Sequence, residues 1–305
     1  MKTKVSPFTY ILFCMFLSPF TLLSQTDTIF MNETKIACSV IEINSLEIKF
    51  SYLDESLINV MNRNSIDKIV FKSGRIQEFR KSYEPINSIE DYNRVEITFT
   101  EDAIRGCNNL GQITSKAKGA TAWANMKKVQ DRAYRKIKIY AAMIGGDIIY
   151  LANENIIGNR GGSKYSPGTK TSTNLSGICY SRKSLNIDNF KEIIGSKTNY
   201  FVSNIISLHA NGYNYQSKET RDSILINDIY LEGKYIVVDC LLDEAVKNNK
   251  GEVSVNRINR KLKLIRYNSK GFTLMWENRS KIYNLTISLT EEVKSIEKPI
   301  EELKQ

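Results

Sequence analysis

Residues 126–146, MKKVQDRAYRKIKIYAAMIGG, decide the fold. Met126, Val129, Ala133, Ile137, Tyr140, Ala141 and Ile144 recur at steps of three and four, the spacing of one apolar helix face, and Gly145 and Gly146 end it. At about 100° per residue, Lys128, Arg132, Arg135 and Lys138 fall on the opposite side, with Lys127 and Lys136 on the flanks and Asp131 to dilute them. The stretch predicts a helix with its apolar side inward and a basic outer face. RVEITFT and CNNLGQIT before it read as strands flanking a turn at Glu101 to Gly106, followed by a polar loop through Gly119. DIIYLANENII and LSGICY after it are again short runs with strand composition. One helix between strands gives a central β-α-β domain over residues 93–182.

Outward from this domain the chain turns to strands. Over residues 25–80, DTIFM, KIACSVIEI, LEIKFSY, LINVMN, IDKIVF and IQEF are separated by polar breaks, which predicts a small β-barrel or meander. Ile36, Cys38 and Val40 share one face of the second run, but Ile41 and Ile43 fall on the other, so a bulge or a strand covered on both faces is expected near Val40. Gly74 marks a hairpin turn between Lys72 and Arg75. Residues 81–92, with Pro85, read as a linker. Residues 183–290 give strand after strand without a helix, divided by Asn-Gly, Glu-Gly-Lys and Asn-Ser-Lys-Gly turns, and predict an antiparallel β-sandwich or barrel. Residues 291–305 form a charged tail. The expected class is α+β: a small N-terminal β-unit, a central domain with one long helix, and a C-terminal antiparallel β-domain.

The first 24 residues place the chain. Lys2 and Lys4 precede an apolar stretch from Phe8 to Leu23, broken by Pro19 and followed by Ser24, Gln25 and Asp27. This is a signal-peptide pattern, with cleavage expected near Ser24 and Gln25 and a periplasmic or secreted mature chain without a transmembrane span. Cys14 follows Ile11, Leu12 and Phe13 where a lipidated cysteine needs small residues, so lipid attachment there is not expected. Losing Lys2 and Lys4 lowers the formal charge by two, from +10 to +8. That balance reads first as a solubilising surface; the functional reading beside it is that anionic envelope components, or another envelope protein, are partners. Nucleic acid is not expected in that compartment.

CNNLGQIT beginning at Cys107, the helix ending AAMIGGDIIYLAN and the closing strand LSGICY resemble the YbjQ-like and Rcs-sensor-like envelope domains. In those families a Leu-Gly-x-Val strand precedes a helix ending Ala-Ala-x-x-Gly-Ala-Asn; here Gly146 and Asp147 replace the last two residues. The resemblance implies a β-α-β fold in the bacterial envelope and, in the Rcs case, stress sensing. The sensor's lipidated cysteine has no counterpart in this sequence. The first segment is similar to small β-modules of exported Bacteroidetes proteins, which implies a source and not an activity.

Catalytic patterns are weak. Cys38, Cys107, Cys179 and Cys240 match no zinc or redox spacing. Cys107 and Cys179 stand on the opening and closing strands of the central domain, so a disulfide between them is expected in an oxidising compartment. His209 in SLHANGY has no nucleophile elbow beside it and reads as a turn residue. Gly161, Gly162 and Gly168 lack the Gly-Lys-Ser/Thr step into a helix that a phosphate loop needs. Asp239, Asp243 and Glu244 read as solvated loop charges. No catalytic residue, metal or cofactor is expected. The candidate anion-binding set is Lys128, Arg132, Arg135 and Lys138 on the helix with Arg160, Lys164 and Lys170 in the glycine-rich loop. The leading expectation is a non-enzymatic binding or sensing protein. The alternatives are a hydrolase acting on glycan or lipid through a pocket in the C-terminal domain, and a structural surface component.

Overall fold

The computed structural model describes residues 26–31, 34–79, 83–121, 124–158, 168–247, 253–278 and 281–289. The leader, the charged tail, the first two linker residues, and Arg160, Gly161, Gly162 and Lys164 lie outside the described residues. The protein is β-rich, with three sheets and few helices.

Six short β-branched and aromatic runs form the first sheet: β1 (Asp27–Met31), β2 (Thr34–Ile43), β3 (Glu47–Tyr52), β4 (Asn59–Asn62), β5 (Lys68–Val70) and β6 (Ile76–Glu78). They order as β4-β3-β2-β1-β5-β6, every pair antiparallel. The register of β2 against β3 shifts between Val40 and Glu42, where the alternation of the sequence changes face. Gly74, at φ +80°, closes the β5–β6 turn. Asp27 fastens the sheet by accepting from the Val40 and Lys72 backbone N–H groups at 2.9 and 2.8 Å.

The central sheet holds β7 (Glu96–Thr98), β8 (Asn108–Lys118), β9 (Ile148–Ile157) and β10 (Ser172–Ser181), with helix α1 (Met126–Met143) crossing from β8 to β9. Their order is β7-β9-β10-β8; β7 runs parallel to β9 and the other pairs are antiparallel. β8 extends through Lys118, where a polar loop was expected, because Ile113, Ser115 and Ala117 alternate inward. Asn125 starts the helix, its side chain accepting from the Lys128 N–H at 3.1 Å.

The third sheet comprises β11 (Asn199–His209), β12 (Gln216–Glu219), β13 (Ser223–Glu232), β14 (Tyr235–Lys247), β15 (Val253–Asn268), β16 (Gly271–Glu277) and β17 (Lys281–Ser288). β11 pairs with β13 through Asn199–Phe201 and with β17 through Val202–His209, so six antiparallel strands close into a barrel with β12 appended to β11. Tyr200, Val202, Val238, Cys240, Leu262, Leu274 and Leu285 belong to the apolar cluster that packs it.

Strands alone were expected over residues 183–290, and helix α2 (Ile187–Ile194) corrects this. Asn186 caps its start by accepting from the Asn189 N–H at 2.8 Å, and Gly195 at φ +62° ends it. Phe190 seats α2 at one end of the barrel, its ring 5.3 Å from Phe272 and 5.5 Å from Tyr267.

Helix α1 is buried on two sides. Val129, Ala133 and Ile137 share a core with Ile113, Leu175 and Cys179 of the central sheet, and the same core takes in Ile206, Leu208, Ile265, Met275 and Ile282 from the barrel's outer wall. Among the described residues no helix is long and apolar enough to cross a membrane.

Candidate functional site: the cleft at the end of the helix

The last turn of α1 presents carbonyl groups that need donors. Arg266 of β15 donates to the Ala142 carbonyl and the Asn284 amide of β17 donates to the Met143 carbonyl at 2.9 Å. Gly145, at φ +88°, lets the chain turn where a β-carbon would press on the Ile265 carbonyl. The helix end is thereby fixed against the barrel, and beside it opens a cleft of about 1180 Å³.

Barrel hairpins form one wall. The β13–β14 turn, with Gly233 at φ +60°, carries Lys234 across to the Asn109 carbonyl at 2.6 Å, and the Tyr235 hydroxyl donates to the Leu110 carbonyl at 3.1 Å. The Tyr235 ring lies under two ammonium groups, Lys263 at 4.2 Å and Lys234 at 5.3 Å from its centroid. On the β15–β16 turn, Asn268 accepts from the Lys270 and Gly271 N–H groups at 2.8 and 3.1 Å, which sets Lys270 at the rim. Burial pushes the Arg266 guanidinium down to about 10, while Asp91 and Glu90 act to raise it.

Asp147 lines the edge of this cleft, and Arg182 lies behind it, where the first sheet meets the central one. Both side chains are 5 % exposed. The Arg182 guanidinium is 3.4 Å from Asp147, pairs with Glu96 as well, and lies 4.7 Å from the centre of the Tyr83 ring. Ser65 donates its hydroxyl to the Arg182 carbonyl, which brings the first sheet into the same cluster. Burial pushes the Asp147 carboxyl up to about 6 despite Arg182. The cleft's other described carboxylates are Asp67 and Glu277, and Glu277 accepts from the Tyr140 hydroxyl at 2.9 Å.

A smaller recess of about 460 Å³ lies where β16 ends and β17 begins, and Glu277 borders both it and the cleft. Trp276 and Tyr283 stack there, 4.2 Å apart and 8° from parallel, with Arg260 over Trp276 at 5.1 Å.

The basic residues singled out from the sequence lie elsewhere. Arg132 is half-buried over the Tyr213 ring at 5.2 Å, and Arg135 is exposed over Tyr92 at 5.5 Å. Lys138 donates to the Asn93 carbonyl at 3.1 Å, and burial lowers its pKa. Lys136, placed on the helix flank, is buried and donates to the Ala210 carbonyl. The expected basic outer face is therefore covered in part by the 3-10 turn Ile89–Arg94 and by the loop between β11 and β12. Lys128 is exposed, and Lys170 is exposed beside Thr171, which donates to the Ala124 carbonyl at 3.3 Å.

The disulfide expected between Cys107 and Cys179 is not formed; both thiols are free. Cys179 lies opposite Gly111, while Ser181 pairs with Asn108, so Cys107 comes to stand opposite position 182. That offset is about 10 Å of strand, against the roughly 4.4–6.8 Å between α-carbons that a disulfide spans. Burial pushes the Cys107 thiol up to about 12. His209 serves the turn after β11, its Nδ1 accepting from the Asn211 N–H at 3.2 Å. Among the described residues no group of three or more His, Cys, Asp or Glu is placed to hold a metal ion.

The cleft residues escaped the sequence reading because they come from separate stretches. The Glu-Gly-Lys and Asn-Ser-Lys-Gly turns were visible as turns, and their lysines were the available signal. No family model matches the chain, and neither a curated protein nor a solved structure matches it.

Proposed function

We propose that the protein is an exported, non-enzymatic binding protein of the bacterial envelope whose ligand seats in the cleft between the end of α1 and the capped end of the barrel. The layout behind this reading is a β-unit over residues 25–80, a central domain over 93–182 and a ligand-contacting β-domain over 183–290. The observation that carries it is the cleft itself: its volume suits a sizeable ligand, and convergent Lys, Asn and Tyr side chains line it. The leader pattern and the resemblance of the central region to envelope domains support the address. Binding is favoured over hydrolysis because the barrel axis is packed with side chains, and Asp147 and Glu277 are engaged by Arg182 and Tyr140.

The test fills the cleft from its rim. Ser184 is exposed and lines it, so Ser184→Trp occupies space without opening the core. Calorimetric titration with glycan and anionic lipid-headgroup probes should show about tenfold weaker binding to Ser184→Trp at an unchanged melting temperature. Equal affinity of the two proteins removes the cleft as the site.

A further inference from the structure

The charge in the cleft is arranged in a way that narrows the ligand. Lys234, Lys263 and Lys270 come from the β13–β14 turn, from β15 and from the β15–β16 turn, and all three line the cleft near the end of the barrel that α2 caps. Among the described residues none of them stands in an ion pair. Two like charges share the single ring of Tyr235. The fold brings these cations to one wall from two neighbouring hairpins and pairs none of them with a carboxylate. Arg266 adds positive potential but is committed to the helix terminus, the hydroxyl of Tyr235 is committed to Leu110, and Lys234 gives one of its three N–H groups to the Asn109 carbonyl and keeps two. The donors still open at this wall are chiefly ammonium groups, so a matching ligand must bring acceptors and negative charge. The cleft, at about 1180 Å³, is much larger than one phosphate or one carboxylate.

We propose that the cleft receives a polyanionic glycan, a chain carrying at least two carboxylate or phosphate groups, with Lys234 and Lys263 receiving one charge above Tyr235 and Lys270 receiving another at the rim. This rests on the cleft being the binding site. The lysines act as compact point charges on flexible stems, which suits an irregular chain of anions better than one fixed bidentate group.

The experiment uses the mature chain and four probes: oligogalacturonate, a neutral oligosaccharide of equal length, inorganic phosphate, and vesicles of phosphatidylglycerol. Oligogalacturonate should bind, should weaken about tenfold or more between low and high salt, and should weaken by a similar factor in Lys263→Glu/Lys270→Glu. Ser184→Trp should also weaken it, while phosphate should neither bind comparably nor compete. Lys263→Met/Lys270→Met, which keeps most of the side-chain volume, should weaken binding too, by less than the charge reversal, if charge is the cause. Binding of the neutral oligosaccharide that Ser184→Trp weakens and the charge reversals leave alone keeps the cleft and overturns the polyanion. Vesicle binding without oligogalacturonate binding overturns it in favour of a lipid surface, and phosphate binding of equal strength overturns it in favour of a single-anion site. Failure of every probe to respond to Ser184→Trp overturns the cleft reading and this inference together.

Discussion

Asp147 and Arg182 are joined through both backbone and side chain: the Arg182 N–H reaches the Asp147 carboxylate at 3.1 and 3.3 Å, and the guanidinium reaches it at 3.4 Å. Because Asp147 begins β9's approach and Arg182 follows β10, this pair closes the end of the central sheet at the point where Ser65 and Tyr83 meet it.

The pair has a pH signature. Burial lifts the folded pKa of Asp147 to about 6, above the roughly 3.9 of an unfolded aspartate. A carboxyl shifted upward on folding opposes the fold where it is ionised in both states, so its penalty is full above pH 6 and fades as pH falls toward 4. Arg182, Lys183 and the Arg182 backbone N–H favour the ionised form; Glu96 opposes it, and Tyr83, Cys107 and Cys179 share the site. Relative to Asp147→Asn, wild type should gain at most about 3 kcal/mol between pH 7.5 and 4.5. Urea titrations of both proteins at each pH measure this, and a difference that stays constant with pH refutes it.

Removing the cation should be far worse than neutralising the acid. Arg182→Met leaves Asp147 buried without its cation, with the half-exposed Glu96 nearby, for a loss of about 3 kcal/mol at neutral pH. Arg182→Lys should recover less than half of this, since one ammonium cannot span both carboxylates as the fork does. Equal stability of the Lys variant and wild type would show that the fork geometry contributes nothing.

How far the sequence announced this structure can be judged from particular residues. Val129, Ala133 and Ile137 gave the helix its inner face because period alone fixes azimuth. The same azimuth placed Lys136 on a flank and Arg132 outside, but it could not reveal that the turn at Ile89–Arg94 and the loop at Ala210–Tyr215 would lie over them. Ile139 is fully buried although it lies off the apolar stripe, since the helix packs between a sheet and a barrel wall. The α2 signals, Asn186, Asp188 and Gly195, were all present around IDNFKEII, but eight residues are too few for periodicity to outweigh the surrounding strands. The cleft was invisible because its lining runs from Asp67 to Ser288, and Lys234 reaches Lys263 only when β14 pairs with β15.

Gly146 packs against Cys179 so closely that an added β-carbon would overlap the Sγ and lie 3.1 Å from the Tyr180 carbonyl. Gly146→Ala should cost roughly 1–3 kcal/mol by overpacking. Cys179→Ala clears the sulfur from that space, so the double variant should lose about 1 kcal/mol or more less than the sum of the single changes. Strict additivity in a denaturation cycle would place the strain elsewhere.

The free thiols are open to a direct chemical check. Burial raises the thiol pKa of Cys38 to about 11 and of Cys107 and Cys240 to about 12, and that of Cys179 further still. Thiolate is the reactive form, so a disulfide-exchange reagent should react slowly with the native protein at pH 8 and completely in denaturant. The alkylated mass in denaturant should be the same with and without prior reduction. A difference of one disulfide would establish a covalent link that the strand register does not provide.

Phe190 couples the unexpected helix to the barrel, and its removal separates local from global stability. The side chain is fully buried against Phe272 and Tyr267, so Phe190→Ala should cost about 3–5 kcal/mol. Asn186→Ala removes only the cap of α2 and should cost about 1 kcal/mol. Trp276 lies late in β16 and stacks on Tyr283 of β17, while Phe190 packs on Phe272 at the start of β16, so the Trp276 fluorescence should be insensitive to the seating of α2. The chain's second tryptophan, Trp123, is replaced by Phe in both proteins so that Trp276 alone emits; in Phe190→Ala its native-state signal should then match the Phe190 protein while the urea midpoint falls. If the native Trp276 spectrum changes as well, α2 is holding the whole barrel closed and not merely covering one end.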